Sequence, residues 1–302
     1  MTSDSPERPL VAKQTHVYKS VDGCEIRADV YSAAPGEDRP VVVWIHGGAL
    51  IMGCRENIRP NHLEAYLAVG CHVVAIDYRL APETKLPGIV EDLEDAFAWV
   101  RKEGPGLFGA DAARMAAVGH SAGGYLTLLA GHRVSPPLQA LVSYYGYGDV
   151  TSEWYSRPDP GYCREPGVSE DEARAAVGGT PLSCSQDDEA RDRFYLYCRQ
   201  QGRWPREVAG HDPDREGAWF RPFEPRLNVT AAYPPTLLLH GDDDEDVPYQ
   251  QSVLMAGALA RVGVPHELYT VRGARHGFDA VEGEKSARAF RRVLDFLGEH
   301  LR

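Results

Sequence analysis

Two hydrophobic rhythms run along the chain. Continuous, mostly apolar runs, Val41-Val42-Val43-Trp44-Ile45, Val73-Val74-Ala75-Ile76 and Thr236-Leu237-Leu238-Leu239-His240, suit strands buried on both faces. Between them lie stretches with apolar positions three and four apart. Val90, Leu93, Phe97 and Val100 form one stripe with acidic residues opposite, and Phe290, Val293, Leu294 and Leu297 form another. Residues 14–20 and 24–31 read as two strands turned at Asp22-Gly23, with Cys24, Ile26, Ala28 and Val30 alternating against polar neighbours. Ala33-Ala34-Pro35-Gly36 breaks the chain after them. Further strands are expected at 114–118, 138–145 and 266–271, and further helices at 61–69, 124–130, 249–262 and 286–301. Strands alternating with helices predict an α/β fold with a mostly parallel central sheet flanked by helices.

The alternation fails between residues 146 and 233, where Pro, Gly, charges and tryptophans mix and only 170–177 and 188–200 read as helices. An excursion of this length at the carboxyl end of a sheet strand reads as a lid or cap. The expected organisation is therefore a core of residues 1–145 and 234–302 with a cap insertion at 146–233. The 302 residues are enough for one such domain.

The net charge of −12 with no basic run argues against nucleic acid or anionic membrane as a partner. No apolar run is long enough to span a bilayer. Residues 1–9 are polar and read as no secretory signal, so the cytoplasm is the expected compartment, with the six cysteines reduced. No Cys-x-x-Cys occurs, and no metal or cofactor is expected. The oligomeric state is not legible, and a homodimer is compatible with the chain.

The candidate chemistry centres on Gly119-His120-Ser121-Ala122-Gly123, a G-x-S-x-G between a short apolar strand and a helix. That context puts Ser121 on a sharp elbow, with glycines where strand and helix backbones meet. A serine hydroxyl is a weak nucleophile and needs a base. His276, in a glycine-flanked loop after the last strand, is the expected base, with a pKa suited to proton transfer. His120 is too close along a sharp bend to serve, and is expected to pack below the elbow or border the substrate. His46 and His240 read as loop anchors. A carboxylate is needed to orient His276, and Asp242, Asp243, Asp244 and Asp246 all follow the strand ending at His240. Asp244 is preferred, with Asp243 and Asp246 as nearest rivals. Gly47, Gly48 and the Ala122 N–H are the expected donors to a developing oxyanion. Leu50, Met52, Trp154, Trp204, Trp219 and Phe220 are candidate pocket residues, the aromatics equally readable as packing within the insertion.

His46-Gly47-Gly48, Asp77-Tyr78-Arg79-Leu80-Ala81-Pro82-Glu83, Gly119 to Gly124, the loop from Asp244 to Pro248 and His276-Gly277-Phe278 together resemble the hormone-sensitive-lipase-like family of α/β-hydrolase serine esterases. The resemblance spans most of the chain outside the insertion. It implies the α/β-hydrolase fold and hydrolysis of a small-molecule carboxylic ester, of small to medium acyl size, through an acyl-serine without metal or cofactor. Two positions depart from the pattern: Ala49 stands where a third glycine is usual, and His120 where an aspartate is common. Two other readings use the same residues, an amidase, arylformamidase or peptidase with the same triad, and a non-catalytic small-molecule receptor on this fold.

Overall fold

The computed structural model describes residues 12–32, 38–185 and 189–302. β1 (Ala12–Val21) and β2 (Cys24–Ser32) form the expected hairpin, turned at Asp22 and Gly23 with φ of 51° and 77°. Two consecutive left-handed residues give a turn whose twist matches its strands. β3 (Arg39–Ile45), α1 (Pro60–Ala68), β4 (His72–Ile76), α2 (Leu86–Phe108), β5 (Ala110–His120), α3 (Ala122–Arg133) and β6 (Ala140–Tyr144) then alternate. Short helices α4 (Glu153–Ser156), α5 (Glu170–Ala175), α6 (Glu189–Gln201), α7 (Trp204–Ala209) and α8 (Pro213–Phe220) occupy the stretch after β6. β7 (Thr236–Gly241), α9 (Gln250–Arg261), β8 (His266–Val271) and α10 (Glu284–His300) complete the chain.

The strands form one eight-stranded sheet in the order β1-β2-β4-β3-β5-β6-β7-β8. β2 pairs antiparallel with β1 and β4, and every pairing from β4 through β8 is parallel. The two-residue period of each strand divides the core. Val41, Val43 and Ile45 face the layer of α2, α3 and α9, whereas Val42 and Trp44 face α1 and α10. Burying each such side chain contributes about 1.5–3 kcal/mol, so both faces of the central strands are held. Among the described residues no helix is long and apolar enough to cross a membrane.

Several elements differ from expectation. α2 and β5 extend well past the predicted stripe and run, because their ends are held by partners elsewhere in the fold; Arg39 pairs with Ala110 on the neighbouring strand. The short helices α4, α7 and α8 carry too few residues for a period to show. The break at 33–36, the N-terminal residues 1–9 and Asp188 lie outside the described residues.

The stretch 146–233 contributes no strand to the sheet among the described residues. Its apolar side chains, Tyr155, Phe194, Trp204 and Phe220 among them, join the same core as α2 and α3 rather than forming a core of their own. Polar ties add to this. Buried Arg191 of α6 donates from Nε to the Ile51 carbonyl at 2.6 Å and from Nη2 to the Ala81 carbonyl at 2.6 Å. It also pairs with Glu83 at 2.8 Å, with both side chains almost fully covered. A charge pair so buried is costly to break from one side, by about 3–5 kcal/mol, because the other ion is left in apolar surroundings.

Candidate active site

The elbow is strained. Ser121 has φ 55° and ψ −117°, a conformation that costs a non-glycine residue about 1–3 kcal/mol. Neighbours hold it there: Ser121 N donates to the Tyr144 carbonyl at 2.9 Å, and Tyr125 N donates to the Ser121 carbonyl at 2.9 Å. Backbone closeness explains the flanking glycines. A Cβ on Gly119 would run into the Gly123 carbonyl, and one on Gly123 into the carbonyls of Ile45 and His46. Gly123→Ala is therefore expected to lower unfolding stability by about 3 kcal/mol, since backbone rather than a yielding side chain must move. Urea denaturation measures this, and an unchanged midpoint would contradict the packing described.

β3 delivers the glycine loop beside the elbow. A Cβ on Gly47 would lie 2.8 Å from the His120 carbonyl oxygen. Gly48 has φ 100°, which disfavours any side chain, and its Cβ direction is filled by the Met52 backbone. Ala49 and Leu50 follow with φ of 54° and 62°, so the turn stays tight although a third glycine is absent. Ile51 N and Met52 N donate to the Gly48 carbonyl at 2.8 and 2.9 Å. His46 stacks on Tyr78, with ring centroids 4.2 Å apart, and its Nδ1 lies 2.7 Å from the Gly47 carbonyl oxygen. Burial pushes His46 down to about 4, so it sits there as a neutral donor. From the insertion, Trp204 Nε1 donates to the Ala49 carbonyl at 2.9 Å. Ala122 opens α3 immediately after Ser121, so its N–H belongs to the first turn, whose donors have no partner within the helix.

Of the carboxylates at 242–246, Asp244 is the one bonded to His276 Nδ1, at 2.8 Å. Its other oxygen accepts from the backbone N–H groups of Asp246 and Val247, both at 2.9 Å. His240 closes the loop from below, with Nε2 3.0 Å from the Val247 carbonyl oxygen and 3.3 Å from Asp244 Oδ2, and Nδ1 2.7 Å from Ser252 Oγ. Burial alone would raise the Asp244 carboxyl, but hydrogen bonds and charge from His240 and His276 outweigh it and hold the group well below the usual carboxylate range. Burial likewise opposes charge on His276. The Asp244 hydrogen bond and the charges of Asp246 and Asp244 prevail, so its pKa lies above the ordinary histidine value.

Asp246 has a different environment. Its Oδ1 accepts from Tyr162 Oη at 2.8 Å, Tyr195 Oη at 2.7 Å and Arg199 Nη1 at 2.5 Å. Its Oδ2 lies 3.6 Å from His276 Nε2. Arg199 is fully buried among the rings of Trp154, Tyr155, Tyr162 and Tyr195 and also pairs with Asp159 at 2.8 Å. The stretch 146–233 thus grips the loop that carries Asp244 and Asp246.

Ser121, His276, Gly47 and Gly48 line one cavity of about 500 Å³. Among the described residues no hydrogen bond joins Ser121 to His276. Of the expected pocket residues, Met52 and His120 border this cavity. His120 also packs below the elbow, stacked on Tyr144 at 4.4 Å with Nε2 3.1 Å from Asp279 Oδ2, and burial holds it neutral. The other five do not border it. Leu50 and Phe220 are fully buried in the core. Trp204 stacks on Tyr155 at 4.0 Å, Trp154 on the other side of Tyr155 at 3.6 Å, and Trp219 on His211 at 4.0 Å. These aromatics pack in or against the core shared with α2 and α3. Lining residues that sequence reasoning missed include Trp44, Asn57, Arg59, Tyr145, Tyr195 and Asp246 as a wall residue. Tyr145, the residue after β6, has φ 37°, sets its ring 4.5 Å from that of His276 and donates from Oη to Asp279 at 2.5 Å. Nothing local in the sequence marks these, since each reaches the cavity through contacts with distant segments.

Two clusters could hold a metal by ligand type: His62, His120 and Asp279, and Cys54, Asp77 and Cys184. In the first, the Arg59 guanidinium is already seated against Asp279. In the second, Asp77 accepts from Arg55 N and Nη1, each at 2.7 Å.

Compared with known families, residues 42–280 match the alpha/beta hydrolase fold. The chain belongs to that family. Its solved neighbours include esterases. Esterase LipW of Mycobacterium marinum is 26% identical, with a TM-score of 0.68 over 96% of this chain and 82% of that one. A Staphylococcus aureus protein of unknown function shares the hydrolase fold at 21% identity, with a TM-score of 0.78 over 96% of this chain and all of that one. Among curated proteins, the non-reducing polyketide synthase ausA of Aspergillus calidoustus is 28% identical over 95% of this chain. The match spans only 14% of that synthase, so the chain corresponds to a small part of such relatives.

Proposed function

We propose that this alpha/beta hydrolase is a serine esterase that cleaves carboxylic esters of small to medium acyl groups through an acyl-serine. The observation that carries the reading is the 2.8 Å bond from His276 Nδ1 to buried Asp244, in a wall of the cavity that also holds the strained Ser121 and the two glycines. Asp244 holds Nδ1 protonated and leaves Nε2 free to take a proton. With an ester in the cavity, Ser121 Oγ attacks the carbonyl carbon while His276 Nε2, turning from Asp246, accepts its proton. The N–H groups of Gly47, Gly48 and Ala122 receive the oxyanion. The tetrahedral intermediate collapses, and His276 returns the proton to the departing alcohol. A water deprotonated by the same nitrogen then releases the acid and restores Ser121. Catalytic hydrogen bonds are often long before substrate binds, which accommodates the missing Ser121–His276 bond.

The test is a panel of p-nitrophenyl esters of increasing chain length, with acyl thioesters added because of the polyketide synthase relatives, and aryl amides. Rapid release with esters and none with amides supports the reading. Absence of turnover together with absence of organophosphonate labelling ends it.

The pH profile makes a second demand. Nε2 must be unprotonated, so kcat/KM falls as pH drops through the His276 value, which lies above the ordinary value of about 6.5. Asp246→Asn removes a negative charge 3.6 Å from Nε2 and is expected to move that acidic limb to lower pH. A limb that stays in place would show that Asp246 does not act on His276.

A further inference from the structure

Gly53 and Ser185 form an isolated antiparallel bridge between the glycine-loop segment and the insertion. They exchange both backbone bonds, Gly53 N to the Ser185 carbonyl at 2.8 Å and Ser185 N to the Gly53 carbonyl at 3.1 Å. In an antiparallel ladder such a pair is followed by one without backbone bonds, whose Cα atoms approach to about 4.5 Å and whose side chains share a face. The next pair here is Cys54 opposite Cys184. Their Sγ atoms lie within 4.8 Å of each other, and Cys54 is within hydrogen-bond reach of the Cys184 thiol. Both are thiols in this structure. A disulfide needs Cα atoms about 4.4–6.8 Å apart, which a pair of this kind satisfies with little backbone movement.

We propose that Cys54 and Cys184 are a disulfide-forming pair that, when oxidised, ties the insertion covalently to the loop carrying Gly47 and Gly48. Cys184 is exposed and meets the oxidant, while Cys54 is fully buried and resolves it. With oxidised glutathione, the Cys184 thiolate attacks one sulfur of the small disulfide and expels one glutathione thiolate. Cys54, as thiolate, then attacks the Cys184 sulfur and expels the second glutathione. The protein gives up two protons and two electrons, and the small disulfide becomes two thiols. The hydrogen bond with Cys54, burial and the nearby Asp77 carboxylate all raise the Cys184 thiol, so thiolate is scarce and the reaction slow. The same scarcity makes Cys184 a poor leaving thiol, which slows reductive attack on the Cys54 sulfur once the bond has formed.

The consequence lies at the cavity. Gly53 and Ser185 both line it, so the bond would fix the wall next to the glycine loop. The test is incubation of the full chain with oxidised glutathione, followed by intact mass and a non-reduced digest. It reads the bond and not turnover, so it is independent of the esterase reading. The expected result is loss of two hydrogens in mass and one peptide pair joined through Cys54 and Cys184. Cys54→Ser should stop at a glutathione adduct on Cys184, and Cys184→Ser should yield no cross-link. Three outcomes overturn the proposal: a stable adduct on Cys184 in the unchanged chain, pairing of either residue with Cys24, Cys71, Cys163 or Cys198, or both thiols still alkylated after unfolding.

Discussion

Ser121→Ala is expected to lower kcat on a short-chain p-nitrophenyl ester by about 10⁴-fold or more, because the attacking atom is gone and only binding and oxyanion contacts remain. The fold should survive. Alanine keeps the backbone bonds to Tyr144 and Tyr125 that hold the elbow, and it occupies a φ of 55° at a cost close to that of serine. The informative design therefore measures rate, labelling and unfolding together. Loss of turnover and of organophosphonate incorporation, with the urea midpoint in place, is the expected triple result. Activity above about a tenth of the original would mean that another residue is the nucleophile, since no bystander hydroxyl replaces one at the attacking position.

The second large effect concerns the acid. Asp244→Asn preserves shape but presents an amide to His276 Nδ1, which allows the wrong tautomer; a loss of about 10⁴-fold in kcat is the scale for such a change. The same substitution should cost stability at neutral pH. The Asp244 carboxyl is held below its unfolded value, so its contribution is fully present above an unfolded pKa of about 4 and disappears as pH falls toward the folded value. Wild type and Asp244→Asn should thus differ in urea stability at pH 7 and converge in strong acid. Asp246→Asn is the counterpart. Its carboxylate is bound by Arg199, Tyr162 and Tyr195 rather than by His276 Nδ1, so its loss should shift the pH profile more than it lowers the maximum rate. A reversal, with Asp246→Asn the more damaging, would reassign the acid.

Much of the fold was legible because its cause is local. A double-sided buried strand must be apolar through its middle, as Val41 to Ile45 of β3, Val73 to Ile76 of β4 and Leu237 to Leu239 of β7 are, and the elbow glycines answer a clash that the motif itself creates. The insertion was less legible. Its tryptophans look alike in sequence whether they bound a pocket or fill a core, and here Trp204 and Trp154 sandwich Tyr155. The cavity wall was least legible, since Arg59, Tyr145 and Tyr195 come from three separate segments.

Hydrophobic period, turn residues and the order of Ser121, the acidic loop and His276 were enough to read an α/β sheet and to mark Ser121 as the candidate nucleophile, because each depends on neighbours a few residues away. Sequence position favoured Asp244 among four nearby carboxylates, but its bond to His276 is visible only in the folded chain. Asp242, Asp243, Asp244 and Asp246 share composition and loop, yet only backbone direction brings one of them within 2.8 Å of His276 Nδ1 and turns another toward Arg199. Hydrogen bonding acts over a few ångströms in space, and separation along the chain carries no record of it.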